Sequence, residues 1–593
     1  MVAAGRTIAE PRLSPDGDRL AHLSTVGGAA QLVVVDLVGG LEVVVTTEPS
    51  PVPSRAYGGG AFDWLPDGSA LVYAAVDGAL WRQPVLGGPP VKLPCGSGPV
   101  AAPSVSPDGA LVAFVVDTRD VFVTSTHPDG PWPVRLTTGA DFALDPAWSS
   151  DGTSVAWHEW DVPNMPWDGS RIVVRDASAS SEPKVVAGGN DVAVAQPRFA
   201  STGALGFLDE SSGWMNVVAG DVRIDEACEH GGATWGPGAR SWCWSPDGAQ
   251  VAYTRNEDGW GALHVRDLSS GDDTRLGRAV HGALSWRGDR ICAMRSGGVT
   301  PTAIVVYERS ATGEWDRRVV TRGPVAGFEA VVQEPETVRW DADDGTQLVG
   351  RLYRPTNEDH ATPPPLICWV HGGPTDQWQV EFRARFAFWT ERGWAVLVPD
   401  HRGSTGHGRA FRQALHGAWG VLDVDDCASA IRAAGANGWG DANRMVIMGG
   451  SAGGFSVLNV LASHPDLCAA GVDLFGVADL FDLDETTHRY EAHYLHSIVG
   501  ALPEHAARYR DRSPVNRAET ITAPLLILQG DADNVVPLAQ SQSIADRLGA
   551  LGRTVELHVY AGEGHGWGRP ATVIDELQRT ESFLRRHVLR WRP

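Results

Sequence analysis

Ser106-Pro107-Asp108-Gly109-Ala110-Leu111-Val112-Ala113-Phe114-Val115-Val116 couples a tight turn to a strand-like apolar run. Pro suits the first central position of a turn, Asp bonds its own backbone, and Gly accepts positive φ. The same signature recurs as Ser14-Pro15-Asp16-Gly17, Leu65-Pro66-Asp67-Gly68, Ser150-Asp151-Gly152, Ser201-Thr202-Gly203, Ser245-Pro246-Asp247-Gly248 and the degraded Ser285-Trp286-Arg287-Gly288. The glycines at 17, 68, 109, 152, 203, 248 and 288 are 51, 41, 43, 51, 45 and 40 residues apart. A period in the forties with alternating or β-branched flanks is that of a four-stranded propeller blade. Trp64, Trp148 and Trp244 precede their turns, placed to pack between sheets. Residues 1–330 are therefore expected to form a seven-bladed β-propeller, the competing arrangement being a β-sandwich with Gly-rich hairpins.

From residue 331 to 593 the pattern changes. Val338–Trp340 and Gln347–Tyr353 read as an antiparallel pair around Asp343-Asp344-Gly345. Short apolar runs at 366–370, 395–399, 445–448, 470–474, 525–528 and 555–559 then alternate with helical patterns such as 423–434 and 544–551. This alternation argues for a parallel, doubly wound sheet, closed by an amphipathic helix over 573–589.

The 593-residue chain has 49 basic against 72 acidic side chains, a formal charge of −23. Nucleic acid is thereby disfavoured as a partner, because phosphate binding needs basic surface. No stretch approaches the ~20 apolar residues of a membrane span. Met1 to Arg6 turns polar at once and shows no secretory core. The seven cysteines are scattered, with no C-x-x-C pair, so neither a disulfide framework nor a zinc site is supported. A cytoplasmic location is expected.

Chemistry concentrates in the second half. Gly449-Gly450-Ser451-Ala452-Gly453 is a G-x-S-x-G between the strand-like 445–448 and a helical run from Gly454. That strand–turn–helix setting is the nucleophile elbow of an α/β-hydrolase, where the partners follow in the order Ser, Asp or Glu, His. A serine hydroxyl needs a base to take its proton, and the base needs an orienting carboxylate. Asp533 lies 82 residues after Ser451, and His565 another 32 beyond, both in loops that follow strands. Asp531 is the rival carboxylate. For the oxyanion, the backbone N–H of Ala452 and that of Gly373, in His371-Gly372-Gly373-Pro374 after an early strand, are the expected donors.

Together with His401-Arg402-Gly403-Ser404-Thr405-Gly406-His407-Gly408, Arg512-Ser513-Pro514-Val515 and the Gly-x-x-Asp-x-x-Val-Pro around Asp533, these motifs resemble the prolyl oligopeptidase family of serine peptidases. The branch resembled is that of acylaminoacyl and dipeptidyl-peptidase-like enzymes. The resemblance implies hydrolysis of short peptides or aminoacyl amides near the amino terminus, with the propeller restricting entry. It implies no metal and no cofactor, and leaves a homo-oligomer open. Relatives that use a tyrosine hydroxyl as oxyanion donor lack the His-Gly-Gly-Pro stretch. Many relatives place Arg or Asn where Val535 stands here, and Val535 cannot donate to the substrate. No Glu-Glu dipeptide occurs to hold a free amino terminus, so a single carboxylate such as Glu159, Asp209 or Glu210 would have to replace it. Phe481 and Tyr490 are the candidates for an apolar pocket wall, and Glu491 for orienting a nearby group. The rival functions are an esterase or amidase acting on a small natural product, and a non-catalytic propeller scaffold.

Overall fold

Turn chemistry decides the first half. In each repeat the turn joins the first and second strands of a four-stranded antiparallel sheet. The Gly109 N–H donates to Ser106 O at 2.9 Å, with Gly109 at φ +76°. The Ser106 hydroxyl donates to Asp108 Oδ1 at 2.6 Å and accepts the Leu111 N–H at 2.9 Å. Asp108 Oδ1 also accepts the Ala110 N–H at 3.0 Å. The same bonds recur around Ser14, Ser149 and Ser245.

The computed structural model describes residues 6–26, 28–46, 48–52, 60–323, 331–357 and 361–590. Among them, seven four-stranded sheets follow one another along the chain. Their first strands are Thr7–Leu13, Phe62–Trp64, Val100–Val105, Phe142–Trp148, Val194–Phe199, Trp242–Trp244 and Val280–Arg287, here blades I to VII. This is a seven-bladed β-propeller. First strands of successive blades from II to VII, and of VII and I, lie against one another. The fourth strands of blades I and III, Glu42–Val44 and Val134–Arg135, are exposed.

The tryptophans act as clips. Trp64 Nε1 donates to Arg12 O (3.2 Å), Trp148 Nε1 to Ser104 O (2.8 Å) and Trp244 Nε1 to Arg198 O (3.1 Å). Each indole thus reaches the repeat-equivalent carbonyl of the preceding blade, adding about 1 kcal/mol apiece to burial of the ring. The ring closes without strand exchange, since every sheet is built from consecutive strands. Ile8, Leu13 and Leu20 instead pack with Cys292, Ile304 and Val306 in one buried cluster, and Arg290 Nη1 donates to Gly17 O at 2.8 Å.

The described residues divide into two compact units, 6–323 and 331–590. The boundary expected after residue 330 abuts residues 324–330, which lie outside the described residues. The second unit is an eight-stranded sheet of β1 (Glu336–Asp341), β2 (Gln347–Tyr353), β3 (Leu366–Val370), β4 (Ala395–Asp400), β5 (Met445–Gly450), β6 (Ala470–Leu474), β7 (Leu525–Gly530) and β8 (Val555–Tyr560). The spatial order is β1-β2-β4-β3-β5-β6-β7-β8, antiparallel for β1/β2 and β2/β4 and parallel elsewhere. Side chains of β3 alternate between two cores. Leu366, Cys368 and Val370 face Ile431 and Leu458, while Ile367 and Trp369 face Phe386 and Phe583. The expected closing helix is Pro570–His587, three residues earlier than its apolar periodicity suggested, because Pro fits the first helical turn. All seven cysteines are buried and unpaired with one another. Among the described residues no helix is long and apolar enough to cross a membrane.

Candidate active site

β5 ends at Gly450 and α1 (Ala452–Ser463) begins one residue later, leaving Ser451 at φ +57°, ψ −124°. A left-handed conformation costs a non-glycine residue about 1–2 kcal/mol, so the surroundings must impose it. Three glycines make them possible. A Cβ on Gly449 would sit 2.5 Å from Gly453 O, and one on Gly453 would sit 2.5 Å from Val370 O. One on Gly454 would meet Asp473 Oδ1 at 2.2 Å. The Ser451 N–H donates to Leu474 O at 3.0 Å, tying the elbow to β6.

β7 and β8 are parallel neighbours, so the loops after them emerge side by side. The Ala532 N–H donates to Glu563 O (2.9 Å), and Asp531 accepts the Gly562 N–H. These bonds bring His565 Nδ1 to 2.8 Å from Asp533 Oδ2. Asp533 Oδ1 accepts the N–H groups of Val535 and Val536, both at 2.9 Å, and its side chain is fully buried. Asp531, the rival, is therefore occupied by the loop backbone. The ring of Phe475, which follows β6, lies 4.7 Å from that of His565. Its edge is also 3.0 Å from where a Gly450 Cβ would be, so one aromatic ring touches both the imidazole and the elbow.

The loop after β3 completes the site. His371 Nδ1 donates to Gly372 O (2.7 Å), and His371 Nε2 is 2.7 Å from Ser404 Oγ. Burial, then the stacked His401, holds the His371 pKa down to about 3, so the ring stays neutral. Gly372 approaches the elbow closely, its Cβ position being 3.6 Å from Ser451 Cβ. Gly373 has φ +119°. Asp400, at the end of β4, accepts Gln377 Nε2 and His407 Nε2, each at 2.7 Å, and pairs with the buried Arg351. None of these supporting side chains was assigned a role from the sequence.

One cavity contains Gly373, Ser451, Ala452 and Val535. Its far wall comes from α2 (Leu480–Thr486), α3 (Tyr494–Ile498) and the turns between them. The wall residues Leu483, Thr487, Glu491, Tyr494 and Ile498 recur every three or four positions along the sequence, through both helices and the turns that join them. Phe481 and Tyr490 fall outside that spacing and are not among the lining residues. Phe481 is 38% exposed, its ring 5.3 Å from that of Tyr509. That spacing was the signal the sequence carried for the wall. Glu159 sits in blade IV, where its carboxylate accepts Trp157 Nε1 (2.7 Å) and Arg171 Nη2 (3.3 Å). Asp209 accepts the Ser211 N–H (2.8 Å) and pairs with Arg223.

Glu226, Cys228 and His230 offer ligand atoms within 4.8 Å of one another. The Val217 N–H donates to His230 Nδ1 (3.2 Å), so the proton lies on Nε2, which donates to Glu226 (2.9 Å). The nitrogen facing the cluster thus carries hydrogen, a tautomer unsuited to a metal.

Residues 380–590 match the profile of Peptidase_S9, the prolyl oligopeptidase family. The chain carries a prolyl oligopeptidase family domain. It is 29% identical over 493 residues to dipeptidyl aminopeptidase BIII of Pseudoxanthomonas mexicana, covering 80% of this chain and 66% of that enzyme. With two further curated relatives it aligns over 31% and 40% of their lengths, so the chain spans less than two thirds of each of the three. Among solved structures, the chain superposes on a puromycin hydrolase with a TM-score of 0.89 at 28% identity, over 99% of this chain and 95% of that one. A puromycin-hydrolyzing peptidase of Mycobacterium tuberculosis gives 0.89 at 26% identity with the same coverage.

Proposed function

We propose that the chain is a serine peptidase that hydrolyses the amide bond near the amino terminus of a short peptide or an aminoacyl amide. Ser451 Oγ attacks the scissile carbonyl while His565 Nε2 takes its proton. The tetrahedral oxyanion is received by the N–H groups of Gly373 and Ala452, each worth about 3–4 kcal/mol to the transition state. His565 then protonates the departing amine, and water hydrolyses the acyl-enzyme by the same proton path reversed. Asp533 holds the imidazole tautomer that leaves Nε2 free to act as base. These steps close without a metal or cofactor.

The observation that carries this reading is the 2.8 Å contact of His565 with buried Asp533, across Phe475 from a serine at φ +57°. The cavity wall of Trp419, Val477, Leu483, Ile498 and Val535 favours an apolar side chain before the scissile bond. Membership of the family, and similarity to a dipeptidyl aminopeptidase, support peptides as substrates. The two puromycin-hydrolysing neighbours support a second reading, an amidase for a natural-product amide.

A panel of aminoacyl, dipeptidyl and N-acyl-aminoacyl anilides, esters and puromycin separates these readings. It is run beside fluorophosphonate labelling and a series of longer peptides. Amide turnover with labelling at Ser451 is expected, and turnover that falls with peptide length is the signature of access restricted by the propeller. No amide turnover together with no label at Ser451 overturns the proposal.

A further inference from the structure

Five of the seven blades share one irregularity. Glu10, Ala102, Asp145, Gln196 and Ala283 have φ between 50° and 54°, each where pairing of the first with the second strand slips. Such bulges re-aim the side chains that follow them, and each costs its non-glycine residue about 1–2 kcal/mol. The same repeat position two residues on holds Arg12 in blade I and Arg198 in blade V, and its counterpart in blade II is Asp63. All three line a cavity enclosed by the first strands, joined there by Asp145, Arg240 and Arg287.

Charge in this cavity does not balance. Four arginines line it against two aspartates, in a chain whose formal charge is −23. Arg12 is paired with Asp63 at 3.0 Å. Arg198 Nη2 donates only to neutral oxygens, Ala239 O (2.7 Å) and Gln196 Oε1 (3.5 Å), and its Nε is buried without a partner. The Arg240 guanidinium makes no hydrogen bond or ion pair with any described residue. Burial, then the charges of Arg12 and Arg198, hold its pKa well below the usual range. The nearby acids Asp145, Asp63 and Glu10 act on these two arginines at a distance and form no ion pair with either. Asp145 is committed to the Gly238 N–H, and Glu10 Oε2 to the N–H groups of Gly60 (2.7 Å) and Ala61 (2.9 Å). Burial pushes both carboxyls up, toward their neutral forms. Two guanidinium groups with donors left open, lining one cavity, match the geometry of an oxyanion, and the surrounding walls concentrate their field.

We propose that the cavity at the centre of the propeller is an oxyanion-binding site, with Arg240 and Arg198 as its principal donors. Its chemistry is shared by a free phosphate and by the terminal carboxylate of a short peptide. This assignment does not depend on the peptidase reading.

The test uses the full chain. Inorganic phosphate is titrated against chloride at matched ionic strength, by calorimetry and by thermal melting. Tri-alanine is compared with its terminal amide on the Ser451→Ala chain. Phosphate, tri-alanine or both bind more tightly than their controls, and Arg240→Gln weakens that binding at least tenfold. Phosphate alone assigns the site to free oxyanions, and tri-alanine alone to peptide carboxylates. Without any ligand, Arg240→Gln melts no lower than the parent, because a like charge has been removed; Arg198→Gln is the second variant and loses binding likewise. If neither ligand exceeds its control, or if both variants bind as the parent does, the site is not there.

Discussion

The propeller and the hydrolase domain both hold non-glycine residues in left-handed backbone, but they arrive there differently. In the propeller the conformation recurs at one repeat position in five blades, each time where the first strand slips against the second. Stability in such an array is close to a sum over neighbours. In the hydrolase Ser451 adopts it at the end of one strand, wedged by Gly449, Gly453, Gly454 and the segments after β3 and β6. A repeated strain is diluted over many equivalent contacts. A single strain depends on every contact around it.

That contrast can be broken by experiment, most sharply in the rate. Ser451→Ala is expected to lower kcat about 10⁶-fold while leaving the denaturation midpoint unchanged or raised, since it removes the proposed nucleophile from a strained position. Steady-state turnover beside a melting curve checks both. A folded but only tenfold slower variant would remove Ser451 from the chemistry.

Next in size is the choice between two acids two residues apart. Asp533→Asn should cost about 10⁴-fold in kcat by spoiling the imidazole tautomer. Asp531→Asn should change kcat by no more than a few-fold, because Asp531 bonds the Gly562 N–H and not His565. Equal losses from the two variants would contradict the geometry.

Asp473 sharpens the comparison through pH. Burial raises its carboxyl to about 7, and neither oxygen has a side-chain partner. The unfolded chain releases this proton near 4. The folded form is therefore unpenalised below that pH and loses up to about 4 kcal/mol as pH rises to 7. Urea midpoints at pH 4.5 and 7.5 should show Asp473→Asn gaining on the parent by an amount of that order. A constant gap would mean the carboxyl is ionised in the fold.

The smallest effects compare glycines directly. Gly454→Ala should destabilise by about 3 kcal/mol, since its Cβ would lie 2.6 Å from Gly476 Cα. Gly152→Ala, in a propeller turn at φ +70° with its nearest neighbour 3.7 Å away, should cost only about 1 kcal/mol. Chemical denaturation of the two variants measures the difference.

Much of the fold was legible because its signals are local. The turn residues from Ser14 to Gly248 announce hairpins by their own chemistry, and the runs at 366–370 and 445–448 announce buried strands by composition. The elbow was legible too, because Gly449, Gly453 and Gly454 are each required by a close approach. The cavity wall was not, because its regular spacing runs through a non-helical stretch between α2 and α3. Phe481 is as apolar as Leu483 but two positions away, and the direction it faces depends on where Tyr509 packs.

By itself the sequence determined the seven repeats and the doubly wound sheet, since turn preference and periodicity are properties of short segments. Tertiary structure alone decided that Asp533 meets the imidazole while Asp531 caps a loop. It alone set His371 against Ser404, and gathered Arg12, Arg198 and Arg240 around one cavity. Each of those outcomes depends on distances between segments remote in the chain, which side-chain identity cannot encode until the sheets have packed.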